Sequence, residues 1–139
     1  MKVYLSGGIA GLTFEEANAW RSEVTEKLRD RGAQTLNPLR GRMFLCADDE
    51  VLDPNEIVQR DLRDIRACDL VLARMDAPSI GTAIEIWQAY YVEHKPVILV
   101  SQNIKLREHP WLQVACTKMF AHLDIALDYI ATRWADEEV

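Results

Sequence analysis

The sequence predicts an α/β fold, a parallel sheet with helices on both faces, and three observations carry that prediction. Short apolar runs, Val3-Tyr4-Leu5 and Val97-Ile98-Leu99-Val100 among them, alternate along the chain with longer segments of helical periodicity. Strands separated by helices of this length need crossover connections, which make neighbouring strands parallel and cover both faces of the sheet. The third observation is size: 139 residues, 49% of them hydrophobic, describe one globular domain spanning 1–139. A chain this long buries roughly two-thirds of the surface its unfolded form exposes, enough for a core without disulfides or a structural metal.

Val3-Tyr4-Leu5 is the first strand, stopped by Ser6-Gly7-Gly8 at a tight, glycine-dependent loop. Thr13 and Glu16 form a capping box for a helix whose Phe14, Ala17, Trp20, Val24 and Leu28 recur at helical spacing until Arg31-Gly32. Gln34 to Leu36 is a second strand, closed by Asn37-Pro38. The stretch from Leu39 to Leu52 has no clear period and is long for a connection, which makes it a candidate pocket-covering loop. Asp53 as N-cap, Pro54 at the first helical position and Glu56 after it start a helix that runs to about Ala67. Cys68 to Ala73 is the third strand, Gly81 to Glu93 a helix and Pro96 to Val100 the fourth strand. Cys116 to Phe120 makes a fifth, and Leu123, Ala126, Leu127, Ile130 and Trp134 form the apolar stripe of a last helix.

Sixteen Lys and Arg against 22 Asp and Glu, a net charge of -6 and a pI near 5.0 argue against a protein that coats nucleic acid or an anionic membrane. No stretch resembles a signal peptide or a membrane span, so the cytoplasm is the expected compartment. Cys46, Cys68 and Cys116 are odd in number and far apart, and no pair among His94, His109 and His122 has metal-ligand spacing.

In sheets of this kind the ligand site lies beyond the carboxyl ends of the strands, where Gly7-Gly8, Asn37, Asp76 to Gly81 and Ser101 emerge. Helical positions advance about 100° per residue, so with Ile57 at zero, Asp61 falls near 40°, Ile65 near 80°, Val58 near 100° and Leu62 near 140°. Asp61 therefore sits inside an apolar arc. A carboxyl there either has a raised pKa and trades protons, or binds a buried backbone N–H. Pro78 to Glu85 runs from a strand into a helix through Gly81 and offers backbone N–H groups to an anion. Thr82 and Glu85 make a T-x-x-E capping box, common in helices without catalytic roles. A glutamate in a first helical turn is also kept ionised by the helix dipole, as a nucleophile must be, so both readings stand. The loop Gly7-Gly8-Ile9-Ala10-Gly11 matches neither the dinucleotide nor the P-loop fingerprint. Trp87, Tyr90 and Tyr91 are assigned to the core. Arg40 and Arg42 read as solvated loop charges, of interest only to a phosphate-bearing ligand.

Tyr4-Leu5-Ser6-Gly7-Gly8-Ile9, Asn37-Pro38, Asp61-Leu62 with Asp69-Leu70-Val71-Leu72-Ala73, and Gly81-Thr82-Ala83-Ile84-Glu85-Ile86 followed by Ala89, in this order and spacing, resemble the nucleoside 2-deoxyribosyltransferase family, which includes related nucleoside 5'-monophosphate N-glycosidases. The resemblance covers residues 2 to about 101 and, more weakly, the rest. It implies a flavodoxin-like, doubly wound, five-stranded sheet and cleavage of the N-glycosidic bond of a 2'-deoxyribonucleoside. It implies that Glu85 attacks the anomeric carbon, that Asp61 handles the proton on the departing base, and that Tyr4 lies beside the nucleophile. Gly7, Gly8, Ile9, Asn37, Ser79, Gly81 and Thr82 are the expected substrate contacts. No metal or organic cofactor is implied; the partners are a nucleoside or nucleotide, a free base, and further copies of the chain in a homo-oligomer. The segment His109-Pro110-Trp111 is the candidate for completing a neighbour's site.

Six residues before the nucleophile, where many of the transferases carry an aspartate that binds sugar hydroxyls, this chain has Ser79. A hydroxyl there donates to a phosphate that an aspartate repels, which favours a 5'-monophosphate substrate. The first glycine loop carries Ala10 where members acting on monophosphates can carry an arginine. Two other readings compete: a non-catalytic nucleotide-binding module using the same pocket, and an acidic scaffold with no small-molecule site.

Overall fold

The computed structural model describes residues 1–41 and 53–135. Arg42, Cys46 and most of the proposed pocket-covering loop lie outside the described residues. Five strands, β1 (Lys2–Gly7), β2 (Gln34–Leu36), β3 (Leu70–Arg74), β4 (Val97–Val100) and β5 (Lys118–Phe120), form one sheet. Every neighbouring pair is parallel, in the order β2-β1-β3-β4-β5. Between them run α1 (Phe14–Arg29), α2 (Pro54–Ala67), α3 (Ile80–Trp87), α4 (Ile104–Arg107), α5 (Pro110–Ala115) and α6 (Leu123–Ala135). This is the doubly wound α/β architecture expected from the sequence.

Alternation along the strands divides the core in two. Val3, Leu5, Leu70, Leu72, Ile98 and Val100 face one way and pack on Trp20, Val24 and Leu28 of α1 and Ala126, Leu127 and Ile130 of α6. Tyr4, Val71, Ala73, Val97 and Leu99 face the other way, toward Ile65 of α2, Ile86 of α3, and Leu112 and Ala115 of α5. The chain leaves β1 for β2 on one side and returns to β3 on the other. The carboxyl ends of β1 and β3, paired at Gly7 and Arg74, therefore flank the switch point where such sheets leave a crevice.

Thr13 caps α1 through its side chain, accepting from the Glu16 N–H at 3.1 Å, and Gly32, with φ of +83°, takes the chain out beyond it. Asp53 caps α2 with Pro54 in the first turn, as the sequence signals. Two short helices, α4 and α5, were not expected from the sequence. They are too short for periodicity to show, and their local signals are the caps Asn103 and His109 and Pro110 in the first turn of α5.

Four expectations are corrected. The capping box at Thr82 and Glu85 does not form: α3 begins at Ile80, and its N-cap is Ser79, whose hydroxyl faces the Thr82 N–H and lies 2.8 Å from the Thr82 hydroxyl. The helix also does not run unbroken to Glu93; after Trp87 it widens into a π-helical turn over Gln88–Val92. That turn stacks Tyr91 on Trp87, ring centroids 5.5 Å apart and planes 11° from parallel. Tyr91 is 65% exposed, so it is not a core residue. Finally, Val58 is 50% exposed; the inner face of α2 keeps Ile65, with Ile57, Asp61 and Leu62 half-buried, and is extended on its other edge by buried Asp64. Among the described residues no helix is long and apolar enough to cross a membrane.

Candidate active site

Residues two apart on a strand share a face, so Tyr4 and Ser6 of β1 both project toward α2 and α3. They meet Glu85 there. The Tyr4 hydroxyl donates to Oε2 of Glu85, and the Ser6 hydroxyl approaches Oε1 at 3.5 Å, the long limit of a hydrogen bond. Because α3 starts at Ile80, Glu85 is in its second turn, not its first, and no acidic residue lies in the first turn. The helix N-terminus therefore contributes little to its ionisation.

The consequence is a carboxyl whose environment opposes its charge. Burial pushes Glu85 up to about 7, and the negative charge of Asp61 adds to the rise; the Tyr4 hydrogen bond, the Arg21 guanidinium and Ser6 act against it. Tyr4, itself wholly buried, is driven well above the ordinary phenol range, first by burial and then by Glu85, Asp61 and Asp64. It remains a phenol across the working pH range and can only donate to the carboxylate. Asp61 on α2 faces this pair closely enough for its charge to act on both. Two carboxyl groups at a strand end, one of them held by a tyrosine hydroxyl, can divide nucleophile and acid roles between them.

The glycine loop is set by packing. A Cβ on Gly7 would lie 2.8 Å from Cζ2 of Trp20 and 3.3 Å from the Arg74 carbonyl oxygen, so no side chain fits. A Cβ on Gly8 would lie 3.9 Å from the Ser79 hydroxyl, which places Gly8 and Ser79 across from one another at the mouth. Thr82 is buried and paired with Ser79. Gly81 is exposed, with open space at its Cβ position. Ile9 holds the loop through its carbonyl, which accepts from the Leu12 N–H at 3.1 Å. The side chain of Asn37 builds a turn: Oδ1 accepts from the Leu39 N–H at 2.9 Å and Nδ2 donates to Asn18 at 2.8 Å.

Four site groups escaped the sequence reading. Ser6 was read as a loop residue, although its spacing from Tyr4 places it on the same face. Asp64, one turn beyond Asp61, and Arg40 form a bidentate pair at 2.7 and 2.9 Å, and Arg40 also donates to the Asn37 carbonyl at 2.8 Å. Arg40 is thus no free loop charge; the Asp64 hydrogen bonds hold it more firmly protonated, and its charge also reaches Tyr4 and Asp61. Arg21, wholly buried, donates from Nη2 to the Gly7 carbonyl at 2.9 Å and from Nη1 to the Ala17 carbonyl. Alternation on a helix cannot distinguish a buried arginine from a solvated one.

Across α3 from Glu85 lies an apolar cavity of about 630 Å³, lined by Met75, Ser79, Ile84, Trp87, Trp111 and Leu112 among others. Tyr4, Asp61 and Glu85 do not line it. Trp111, 64% exposed, packs on Trp87 with centroids 5.0 Å apart. Among the described residues no group of three His, Cys, Asp or Glu is placed to hold a metal ion.

A doubly wound sheet with two carboxyl groups at its switch point is the architecture of an α/β enzyme with its site beyond the strand ends. The family profile of nucleoside 2-deoxyribosyltransferases matches residues 3–123, and the chain belongs to that family. A protein of Thermofilum pendens, provisionally named 2'-deoxynucleoside 5'-phosphate N-hydrolase 1, is 31% identical over 113 residues, covering 76% of this chain and 71% of its own. Among solved structures, a 2-deoxyribosyltransferase of Leishmania mexicana shares the fold with a TM-score of 0.68 at 20% identity, over 94% of this chain and 97% of that one. A CMP N-glycosidase of Clostridium botulinum does so with a TM-score of 0.60 at 20% identity, over 94% and 98%.

Proposed function

We propose that this protein cleaves the N-glycosidic bond of a 2'-deoxyribonucleoside 5'-monophosphate through a covalent intermediate on Glu85. The observation that carries this reading is the Glu85 carboxyl, held by the Tyr4 hydroxyl beside Asp61 at the sheet's switch point. An Oε of ionised Glu85 attacks the anomeric carbon as the bond to the base nitrogen breaks. The bonding electrons leave with the base, which takes a proton from Asp61. Water then attacks the anomeric carbon of the ester, gives a proton to Asp61 and frees the sugar phosphate and Glu85, by the double-displacement logic of retaining glycosidases. The name of the Thermofilum relative supports both the phosphate and the water. Ser79, an N-cap hydroxyl opposite Gly8, supports the phosphate, since it donates where an aspartate would repel.

A second reading, transfer of the deoxyribosyl group to another base, is favoured by the family itself and by the Leishmania structure. The two differ only in what reaches the ester. Self-association into a homo-oligomer is part of the proposal; Ile80, Ile84, Tyr91, Trp111 and Val114 form an exposed apolar surface around the cavity beside α3, larger than scattered surface residues require. Trp111 belongs to the segment expected to complete a neighbouring site.

Mass spectrometry of the intact protein after brief incubation with 2'-deoxyribonucleosides and their 5'-monophosphates, with base release followed in parallel, tests the reading. The expected result is a sugar-phosphate adduct and free base with the wild type, neither with Glu85→Ala, and transfer only when a second base is added. No adduct and no base release across both panels would return the site to a binding role.

A further inference from the structure

Arg21 is a large cation with no exposed surface, in a layer otherwise built from Trp20, Val24 and Leu28. Removing a guanidinium from water costs several kcal/mol unless the protein uses its hydrogen bonds and its field. Two of its hydrogen bonds are to backbone: Nη2 donates to the carbonyl of Gly7, the last residue of β1, and Nη1 to the carbonyl of Ala17 one turn back on α1. The Trp20 ring lies flat enough for its centroid to sit 4.9 Å from the guanidinium carbon, and the same ring fills the space where Gly7 would carry a side chain. The cation is thereby fixed directly behind the strand end that presents Ser6 to Glu85.

We propose that Arg21 is a positioning residue for the nucleophile, its cation locked onto the Gly7 carbonyl directly behind the strand end that presents Ser6 to Glu85. This rests on the reading of Glu85 as nucleophile. Among the described residues, the groups that act on Glu85 are Tyr4 and Ser6 of β1 and Asp61 of α2 on its own side of the sheet, and Arg21 of α1 behind the end of β1; Asp64 and Arg40 act on Tyr4 from farther out. Of these four, Arg21 alone carries positive charge. It does the work that a helix N-terminus would do had Glu85 been in the first turn of α3, and the low dielectric of the core lengthens its reach.

The test separates charge from hydrogen bonding. Arg21→Lys keeps the cation, Arg21→Gln keeps a donor without charge, and citrulline installed at position 21 keeps the shape of arginine without charge. Each is checked for its thermal melt, and the Glu85 carboxyl is titrated by carbon NMR, its signal assigned by its loss in Glu85→Gln. The proposal expects the Glu85 midpoint to rise by about half a pH unit or more in the Gln and citrulline proteins, on the order of 0.7 kcal/mol, and to stay near wild type in the Lys protein. The acid limb of kcat/KM moves with it, while raising the pH restores much of the lost rate. A midpoint unchanged in a folded neutral variant, or moved equally by Lys, overturns the proposal. Should Arg21→Gln not fold, the citrulline protein decides the matter. The titration needs no turnover, so failure of the glycosidase reading, seen as absence of base release by the wild type, is distinguishable from failure of the role given to Arg21.

Discussion

The two sides of α3 invert the usual arrangement of a helix. Toward β1 the helix presses a half-buried carboxyl, Glu85, against a wholly buried tyrosine. Toward α5 it exposes aliphatic and aromatic surface, with Ile80 at 82% and Ile84 at 63%. A buried charge and an exposed apolar face both cost stability in an isolated chain, so each has to be supported from elsewhere. On the first side the support is present within the chain: Tyr4, Ser6 and Arg21 act in favour of the carboxylate, against burial and Asp61. On the second side the cavity is open to solvent, and what covers it is another molecule under the proposal of self-association. Under the two proposals, chemistry draws on one side of the helix and assembly on the other, and they are linked where the segment with Trp111 completes a neighbouring site.

The largest expected effect lies on the β1 side. Glu85→Gln should lower kcat/KM by roughly 10⁴-fold or more, since without a nucleophile no ester forms. Its stability should move the other way, with a definite sign against pH. Glu85 has a folded-state pKa raised from 4.5 to about 7, so the contribution of the protonated carboxyl is fully present below about 4.5 and is lost as pH rises through about 7. Glutamine does not titrate; thermal melts should show the variant gaining on wild type across that window, by on the order of 2 kcal/mol at pH 8. Equal melts at pH 5 and pH 8 would mean that the carboxyl is not strained.

Next comes Tyr4→Phe, which removes the hydroxyl that holds the carboxylate. Loss of about 10²-fold in kcat is expected, the size of one well-placed donor to a developing or fixed charge. Because the Tyr4 bond lowers the pKa of Glu85, the acid limb of the pH–rate profile should also move to higher pH; a limb displaced downward would contradict the hydrogen-bond assignment. Gly7→Ala sharpens the link between packing and site. With Trp20 2.8 Å from the added methyl and backbone close behind, denaturant titration should show a loss of about 1–3 kcal/mol. The smallest effect on the folded chain is expected on the α5 side. Ile84→Glu should leave monomer stability within about 0.5 kcal/mol while light scattering reports loss of self-association, and an unchanged mass would detach this face from assembly.

Much of the fold was legible because it rests on local signals. The bounds of β2 at Gln34–Leu36 and of α2 at Pro54–Ala67 fall where Asn37-Pro38 and Asp53-Pro54 put them. Helices of four and six residues, α4 and α5, have no period to detect. The misplaced start of α3 had a specific cause: Ser79 and Thr82 are both good caps three residues apart, and only the tertiary turn after β3 selects between them. For the candidate site, Tyr4, Asp61 and Glu85 were named from their motifs, and the structure brings their charges together. Arg21, Ser6, Asp64 and Arg40 were not, because each earns its place through a partner distant in sequence, 14 residues away for Arg21 and Gly7 and 24 for Arg40 and Asp64.

By itself the sequence determined the alternation of strands and helices, the parallel sheet that alternation requires, and the residue types at the strand ends, since periodicity, caps and glycine turns are properties of neighbouring residues. Only the tertiary structure decided which side of α3 carries the carboxyl and which is apolar, why burial pushes Glu85 up to about 7, and which arginine lies behind the end of β1. Those depend on burial and on fields between groups as far apart as Tyr4 and Glu85, 81 residues along the chain, and a dielectric environment exists only once the chain has closed around them.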